Sequence, residues 1–376
     1  SLSTVKRELQ FFLDKRALQV KLIDRTFNCS HSHALEIWRY IQEHDNGVTN
    51  FHFEIAAELL NEEELAILKD MRPGLVQLEI GVQTTNRDTL AAINRSGDTA
   101  CIARRVAEIN EGRNIHIHLD LIAGLPFEGY ESFKKSFNEV YAMAPLQLQL
   151  GFLKVLKGTP IRKKAEEYGI VWQEEPPYEV LYTKWISYRE ILKLKQVEEM
   201  VEVYYNSNQF THTLAVLEKG FSGAFELYEA LAAYYEEKGY FVNSPARSRR
   251  YQVLLEFIKE RMPEAEELYR ELLTFDYYLR ENAKSRPGFG RDLSPWRDKI
   301  WEFYQKEEAA PEFLGAYGQY HARQMMKMTH MEAFFYPVWE SGNGGLTVRR
   351  QAPEFVLFDY GERDALTGNA KARRIP

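Results

Sequence analysis

Residues 1 to about 165 alternate short apolar runs with amphipathic helical stretches, the pattern of successive βα units in a parallel sheet. No other feature of the chain limits its fold so strongly. Five runs read as strands: Gln19 to Asp24, Phe51 to Ile55, Leu75 to Gly81, Ile115 to Ile122 and Gln147 to Val155. They recur at intervals of about 25 to 40 residues, close to the period of a (β/α) barrel. The helices between them carry legible starts, such as Asn61 before Glu62-Glu63-Glu64 and Thr85-Asn86-Arg87-Asp88 before Leu90, where a cap and first-turn acids suit the helix dipole. Before the first strand, Val5, Leu9, Phe12 and Leu13 fall at helical spacing, so the chain opens in a helix with no strand ahead of it. There is no initiator Met, and the start reads as a cut within a longer protein.

The alternation stops at Glu174-Glu175-Pro176-Pro177-Tyr178, which reads as a junction between a domain over 1–175 and another over 176–376. Beyond it, Glu190 to Tyr205, Phe210 to Glu218, Gly223 to Lys238, Ser248 to Arg261 and Pro263 to Asn282 have helical periodicity, and a further helix is expected from Pro311 to about Met328. Two strand-like stretches follow, Glu332 to Trp339 and Glu354 to Tyr360, separated by the turn cluster Ser341-Gly342-Asn343-Gly344-Gly345. A terminal hairpin is expected, with Thr367 to Pro376 as a fraying tail. The fold class is therefore α/β: a partial (β/α) TIM-like barrel lacking its first strand, then a mainly helical domain with a small β element.

Composition excludes several classes. A hydrophobic share of 45% beside 27% charged residues is that of a soluble globular protein, and no apolar run reaches a membrane-spanning length. No signal-peptide core opens the chain, so cytoplasmic residence is the expectation. The formal charge of -7 argues against nucleic acid as a general partner, with Arg247-Ser248-Arg249-Arg250 reading as a solvated helix start. Cys29 and Cys101 are the two cysteines, too few for a disulfide framework or a two-pair zinc site.

In a parallel barrel the functional groups gather at the carboxyl ends of the strands. That rule selects Asp24-Arg25-Thr26-Phe27-Asn28, Glu54, Glu79 with Gln83, Asp120 leading to Gly124, and Lys154 with Lys157. Glu79 stands among aliphatics, where an unpaired carboxylate costs several kcal/mol, so it needs either an ion pair with Arg25 or Lys154 or a wet lumen that binds a ligand. Alternation puts His52 and Glu54 on one strand face, and His116, His118 and Asp120 on one face of another. The latter triad suits metal binding and structural packing alike; no metal ligand is assigned from it. Gly124 permits either a sharp turn or close approach of a planar ligand.

Two of these segments carry a resemblance. Leu78-Glu79-Ile80-Gly81-Val82-Gln83-Thr84, followed about 35 residues later by Asp120-Leu121-Ile122-Ala123-Gly124-Leu125-Pro126, resembles the fourth and fifth strand ends of radical S-adenosylmethionine (SAM) enzymes. Lys154-Val155-Leu156-Lys157-Gly158-Thr159-Pro160 resembles the sixth strand end of that family, and Asp24 to Asn28 the second. The resemblance covers residues 1 to about 170, and the nearest subgroup carries a cobalamin-binding domain ahead of its barrel.

The resemblance implies an enzyme that cleaves SAM at a [4Fe-4S] cluster to drive radical oxidoreduction or methyl transfer on an unidentified substrate, with flavodoxin or ferredoxin as reductant. It implies that Glu79 and Gln83 lie near the ribose or amino-acid part of SAM, Ile122, Gly124, Val155 and Leu156 against adenine, Asp24 and Asn28 near the SAM amino group or substrate, and Glu54 in the same lumen. The family's Cys-x-x-x-Cys-x-x-Cys loop is missing, so the chain as written cannot hold the cluster and is expected to be silent by itself. Two alternatives stand beside this reading: a non-radical barrel enzyme using Glu54, Glu79 and Asp120, and an inactive barrel serving as a protein- or RNA-binding module.

Overall fold

The computed structural model describes residues 1–95, 97–283, 285–341 and 348–375. They form two compact units: Ser1–Asn206 with Gly223–Ala232, and Ser207–Ser222 with Ala233–Pro376.

The first unit opens with α1 (Leu2–Asp14) and then repeats strand and helix: β1 (Gln19–Lys21), α2 (His31–Glu43), β2 (Asn50–Ile55), α3 (Glu62–Lys69), β3 (Val76–Gln83), α4 (Arg87–Ala92), α5 (Thr99–Gly112), β4 (His116–Ala123), α6 (Tyr130–Tyr141) and β5 (Gln147–Phe152). The five strands pair in sequence order, all parallel, as a curled half-barrel. All five expected strands are present. β1 and β5 are shorter than expected, ending before Asp24 and Val155, which stand in the following loops. The expected caps form too. Asn61 and Glu64 make a reciprocal capping box, and Asn86 accepts from the N–H groups of Asp88 and Thr89.

The two faces of this sheet differ in chemistry because residue parity assigns every second side chain to one side. Phe51, Phe53 and Ile55, then Leu78 and Ile80, Ile117, Leu119 and Leu121, and Leu148 and Leu150 are all buried on one face. Helices cover it: Trp38 of α2 meets Phe53 edge-on at 6.1 Å, and α5 and α6 bury Val106, Ile109, Phe133 and Phe137. Each such side chain contributes about 1.5 to 3 kcal/mol by leaving water. The opposite face carries Gln19, Lys21, His52, Glu54, Gln77, Glu79, His116, His118, Asp120, Gln147 and Gln149. A sheet side this polar faces a wet lumen rather than a core.

After β5 come α7 (Pro160–Lys163), a two-stranded antiparallel ribbon of β6 (Val171–Trp172) and β7 (Val180–Tyr182), and α8 (Tyr188–Met200), which continues as a π-helical segment to Asn206. The Pro-rich stretch 174–178 forms the turn of that ribbon.

Helices α9 (Thr211–Leu217), α10 (Ala224–Glu237), α11 (Arg249–Arg261) and α12 (Glu266–Arg280) follow the expected periodicity. Asp276 fixes the start of α9 by accepting from the His212 and Thr213 N–H groups (3.0 and 2.8 Å). The stretch from Arg247 is a helix start, with Arg247 and Arg249 paired to Glu281 and Glu256. Two expectations need correction. The helix expected from Pro311 is confined to α14 (Ala322–Met328), because Gly315 and Gly318 favour a 3-10 turn before it, whereas α13 (Arg297–Ala309) is a helix the periodicity left out.

The second concerns the end of the chain. β8 (Thr329–Phe334) and β9 (Glu354–Arg363) pair antiparallel, though β8 starts earlier than expected and ends before the 3-10 turn Val338–Glu340, and Ala370–Ile375 is not a fraying tail: it is β10, paired along β9 as an edge strand. Beyond Ser341, the expected turn cluster lies outside the described residues. A buried cluster that includes Ile300, Tyr304, Leu314, Met325, Met331 and Leu357 packs α13 and α14 onto this sheet.

Candidate functional site

Three polar layers cross the lumen. Register places Lys21 beside His52 and Gln77; Glu54 beside Glu79 and His118; and Gly81 beside Asp120 and Gln149. Lys21 Nζ donates to Glu79 Oε2 (2.9 Å), and His52 Nε2 lies 2.7 Å from the same oxygen. His118 Nε2 lies 2.9 Å from Asp120 Oδ1. Both histidine contacts are close in distance but off the hydrogen-bonding line, so His52 Nε2, both ring nitrogens of His118, and Asp120 Oδ1 are buried without a hydrogen-bond partner. We read them as electrostatic contacts, because a nitrogen at this distance out of line feels the charge without the directional bond.

The ionisation pattern follows from this crowding. Burial pushes the Glu54 carboxyl above its ordinary range, and Glu79 and Asp120 add repulsion. Asp120 is raised chiefly by burial, with Glu79 adding to the rise and His118 opposing it. Burial acts upward on Glu79 as well, but the Lys21 hydrogen bond and charge, with His118 and His52, outweigh it and hold this carboxyl low. Burial and then Lys21 push His52 down, and burial with His118 and His52 brings His116 down to about 4. The lumen thus contains a firmly ionised carboxylate, Glu79, between two carboxyls whose ionisation is disfavoured.

Glu54, Glu79 and Asp120 are brought together as the sequence implies. Glu79's cation is Lys21, correcting the expected Arg25 or Lys154: the register puts Lys21 alongside, whereas Arg25 is on an exposed loop and Lys154 bridges to Glu179 beyond β5. Parity along Gln19 and Lys21 was the available signal for it. Gln83 ends β3 after a bulge at Val82, takes a left-handed φ of 70°, and folds back over Gly81 on the lumen side.

The other named residues lie around this group in different states. Asp24 is exposed. Asn28 is fully buried and uses its amide to clamp the β1 loop to the end of β2, donating to Ala56 O (2.9 Å) and accepting from Ala56 N (3.0 Å). Ile122 is half-buried. Gly124 has φ +83°, and a Cβ there would meet Val180 Cγ1 at 2.6 Å, so β7 makes the close approach. Val155 is fully buried and donates its N–H to Tyr178 O (2.8 Å), while Leu156 is exposed.

A second network, absent from the sequence-based assignment, joins the loops after β3 and β4. Glu128, 1% exposed, accepts at Oε1 from Thr84 Oγ1 (2.5 Å) and Ser136 Oγ (3.1 Å), and its Oε2 is buried without a partner. Burial lifts this carboxyl to about 7 against the two hydroxyl bonds. In the second unit, a cavity of about 880 Å³ is lined by Tyr278, Arg286, Trp301, Arg323 and His330 among others. Its Arg286 is held on Glu332 by two bonds (2.8 and 2.9 Å).

Cys29 is exposed on the loop after β1 and Cys101 lies in the first turn of α5, both free thiols. A [4Fe-4S] cluster is held by several thiolates converging on one site, and these two residues do not fit it. No helix among the described residues is long and apolar enough to cross a membrane.

Residues 166–358 match the sequence family described as "Protein of unknown function (DUF4080)". Protein YhcC of Escherichia coli K12 is 35% identical over 94 residues, 25% of this chain and 30% of that protein. The oxygen-independent coproporphyrinogen III oxidase of Salmonella typhimurium is 34% identical over 110 residues, 27% of this chain and 23% of that protein. The chain therefore spans less than a third of the length of these curated relatives. Among solved structures, the radical SAM methyltransferase TsrM of Kitasatospora setae aligns with a TM-score of 0.40 and 18% identity over 46% of this chain and 34% of that one. The chain resembles radical SAM enzymes, as its two strand-end motifs imply.

Proposed function

The chain belongs to the DUF4080 family, whose description names no activity, and we propose that it is part of a SAM-dependent enzyme of radical SAM type. In this reading the polar lumen receives SAM and substrate for radical oxidoreduction or methyl transfer. The observation that carries the reading is a juxtaposition. The two motif segments, ending β3 and β4, put Glu79 and Asp120 on one polar face with Glu54, while the other face of the same strands is apolar and covered.

This chain's own residues have definite capacities there. Ionised Glu79 attracts a cationic group such as a sulfonium or ammonium, and Lys21 and His52 hold its carboxylate in place. Asp120, whose carboxyl burial raises above its ordinary range, lies on the same polar face and can accept a hydrogen bond from a ligand N–H or O–H. The cluster ligands and any cobalamin site belong, in this reading, to sequence outside these 376 residues, and the reductant is a flavodoxin or ferredoxin.

The test uses the whole gene product containing this chain, reconstituted anaerobically with iron and sulfide and incubated with SAM and a reductant. We expect 5'-deoxyadenosine or a methylated product, with Asp120→Asn and Glu79→Gln lowering the rate at least about tenfold through lost positioning. A reconstituted, cluster-loaded protein that leaves SAM intact overturns the proposal.

A further inference from the structure

The lumen also holds a donor set that shares Glu79 and His52 with the proposed function and adds His118. His52, Glu79 and His118 each offer a ligand atom, and the three atoms lie within 4.8 Å of one another. Two histidines and one carboxylate on three adjacent strands form a facial N,N,O set of the kind that holds zinc or ferrous iron and leaves further coordination positions open. We propose that His52, Glu79 and His118 bind a divalent first-row transition-metal ion whose open positions face the lumen.

Burial supports this over a chance meeting of surface side chains. His52 is 7% exposed and His118 5%, yet His52 Nε2 and both nitrogens of His118 have no hydrogen-bond partner. Buried imidazole nitrogens in a native protein almost always have one, and a metal ion would account for the deficit. Asp120 lies 2.9 Å from His118 Nε2, near enough to support the imidazole as a carboxylate beside a metal-binding histidine does. Glu54 and Asp120 share the same polar face, so carboxylates surround the donor set.

Coordination at about 2.1 Å would draw the donors to roughly 3 to 3.5 Å from one another, a closure of at most about 1.8 Å within reach of side-chain rotation. A competitor is Lys21, whose ammonium occupies Glu79 Oε2 from a half-exposed, flexible stem. Lys21 and the ion therefore exclude each other at that oxygen, which makes the proposal testable in both directions.

The purified, tag-free chain is titrated with Co²⁺, following the visible bands of four- or five-coordinate cobalt, and with Zn²⁺ by calorimetry and by displacement of Co²⁺. We expect one ion per chain, at least a hundredfold loss of affinity in His52→Ala and His118→Ala, about tenfold loss in Asp120→Asn, and a severalfold gain in Lys21→Met. The gain variant substitutes a half-exposed residue and guards against loss through misfolding, which circular dichroism checks in the others. Failure of both ions to bind, binding unaltered in folded His118→Ala, or unchanged affinity in Lys21→Met each overturns the site. The readout needs neither SAM nor a reductant, so its failure leaves the proposed function standing and the reverse.

Discussion

Glu128 is a carboxyl whose ionisation its surroundings oppose. Its carboxyl is buried, one oxygen is held by two hydroxyls, the other has no partner, and burial lifts its pKa from 4.5 to about 7. The folded protein binds this proton more tightly than the unfolded chain does, so the group's stabilising contribution is full below about pH 4.5 and is lost as pH rises through about 7. A shift of this size corresponds to roughly 3 kcal/mol. Glu128→Gln keeps the acceptor oxygen and removes the charge. Urea unfolding from about pH 4.5 to 8 should therefore show wild-type stability falling across that interval by an amount the variant does not lose. Parallel pH profiles for the two proteins would mean that Glu128 is solvated. Nothing local in the sequence marks Glu128, because its partners Thr84 and Ser136 stand 44 and 8 positions away.

At the scale of elements, the turn leaving β4 depends on Gly124 for two separable reasons: a φ of +83°, and Val180 Cγ1 at 2.6 Å from where a Cβ would stand. Gly158 has a φ of +84° with open space around it and so isolates the first reason. Gly158→Ala should lose about 1 kcal/mol from backbone strain alone, and Gly124→Ala about 2 to 3 kcal/mol, part of it recovered in Gly124→Ala with Val180→Ala. Denaturant midpoints decide this; equal losses at the two glycines would remove Val180 from the account. These elements also mark what sequence can and cannot reveal. The five strands were legible because alternation survives in each, Phe51-His52-Phe53-Glu54-Ile55 being the clearest case. β10 was not, because Lys371, Arg373 and Arg374 look like a solvated tail, whereas on an edge strand such charges guard the open side while Lys371 and Arg373 pair with Glu362. The partner of Glu79 was legible only in part: parity puts Lys21 on the polar face, but which carboxylate it meets depends on register between strands.

Across the whole chain, the nine residues that the radical SAM resemblance implicates divide by how much capacity the fold leaves them. Asn28 has both amide functions on Ala56, Gly124 is covered by Val180, and Val155 is fully buried with its N–H on Tyr178. A ligand reaching these three would have to displace protein contacts first, so they add little affinity. Glu54, Glu79 and Gln83 face the lumen, Ile122 is half-buried, and Asp24 and Leu156 are exposed. These can attract a sulfonium or ammonium and cover part of an adenine, but a polar, open site offers modest desolvation, and opposite charges interact weakly where water enters. The two cysteines cannot add a cluster to hold the methionyl end. SAM binding to this chain alone should therefore be weaker than about 1 mM, or less than about 4 kcal/mol. Calorimetry with SAM at millimolar concentration reads this directly. A dissociation constant in the micromolar range would mean that the lumen is already a complete SAM site, with Glu79→Gln then expected to abolish binding and Lys21→Met to strengthen it by removing the competing cation.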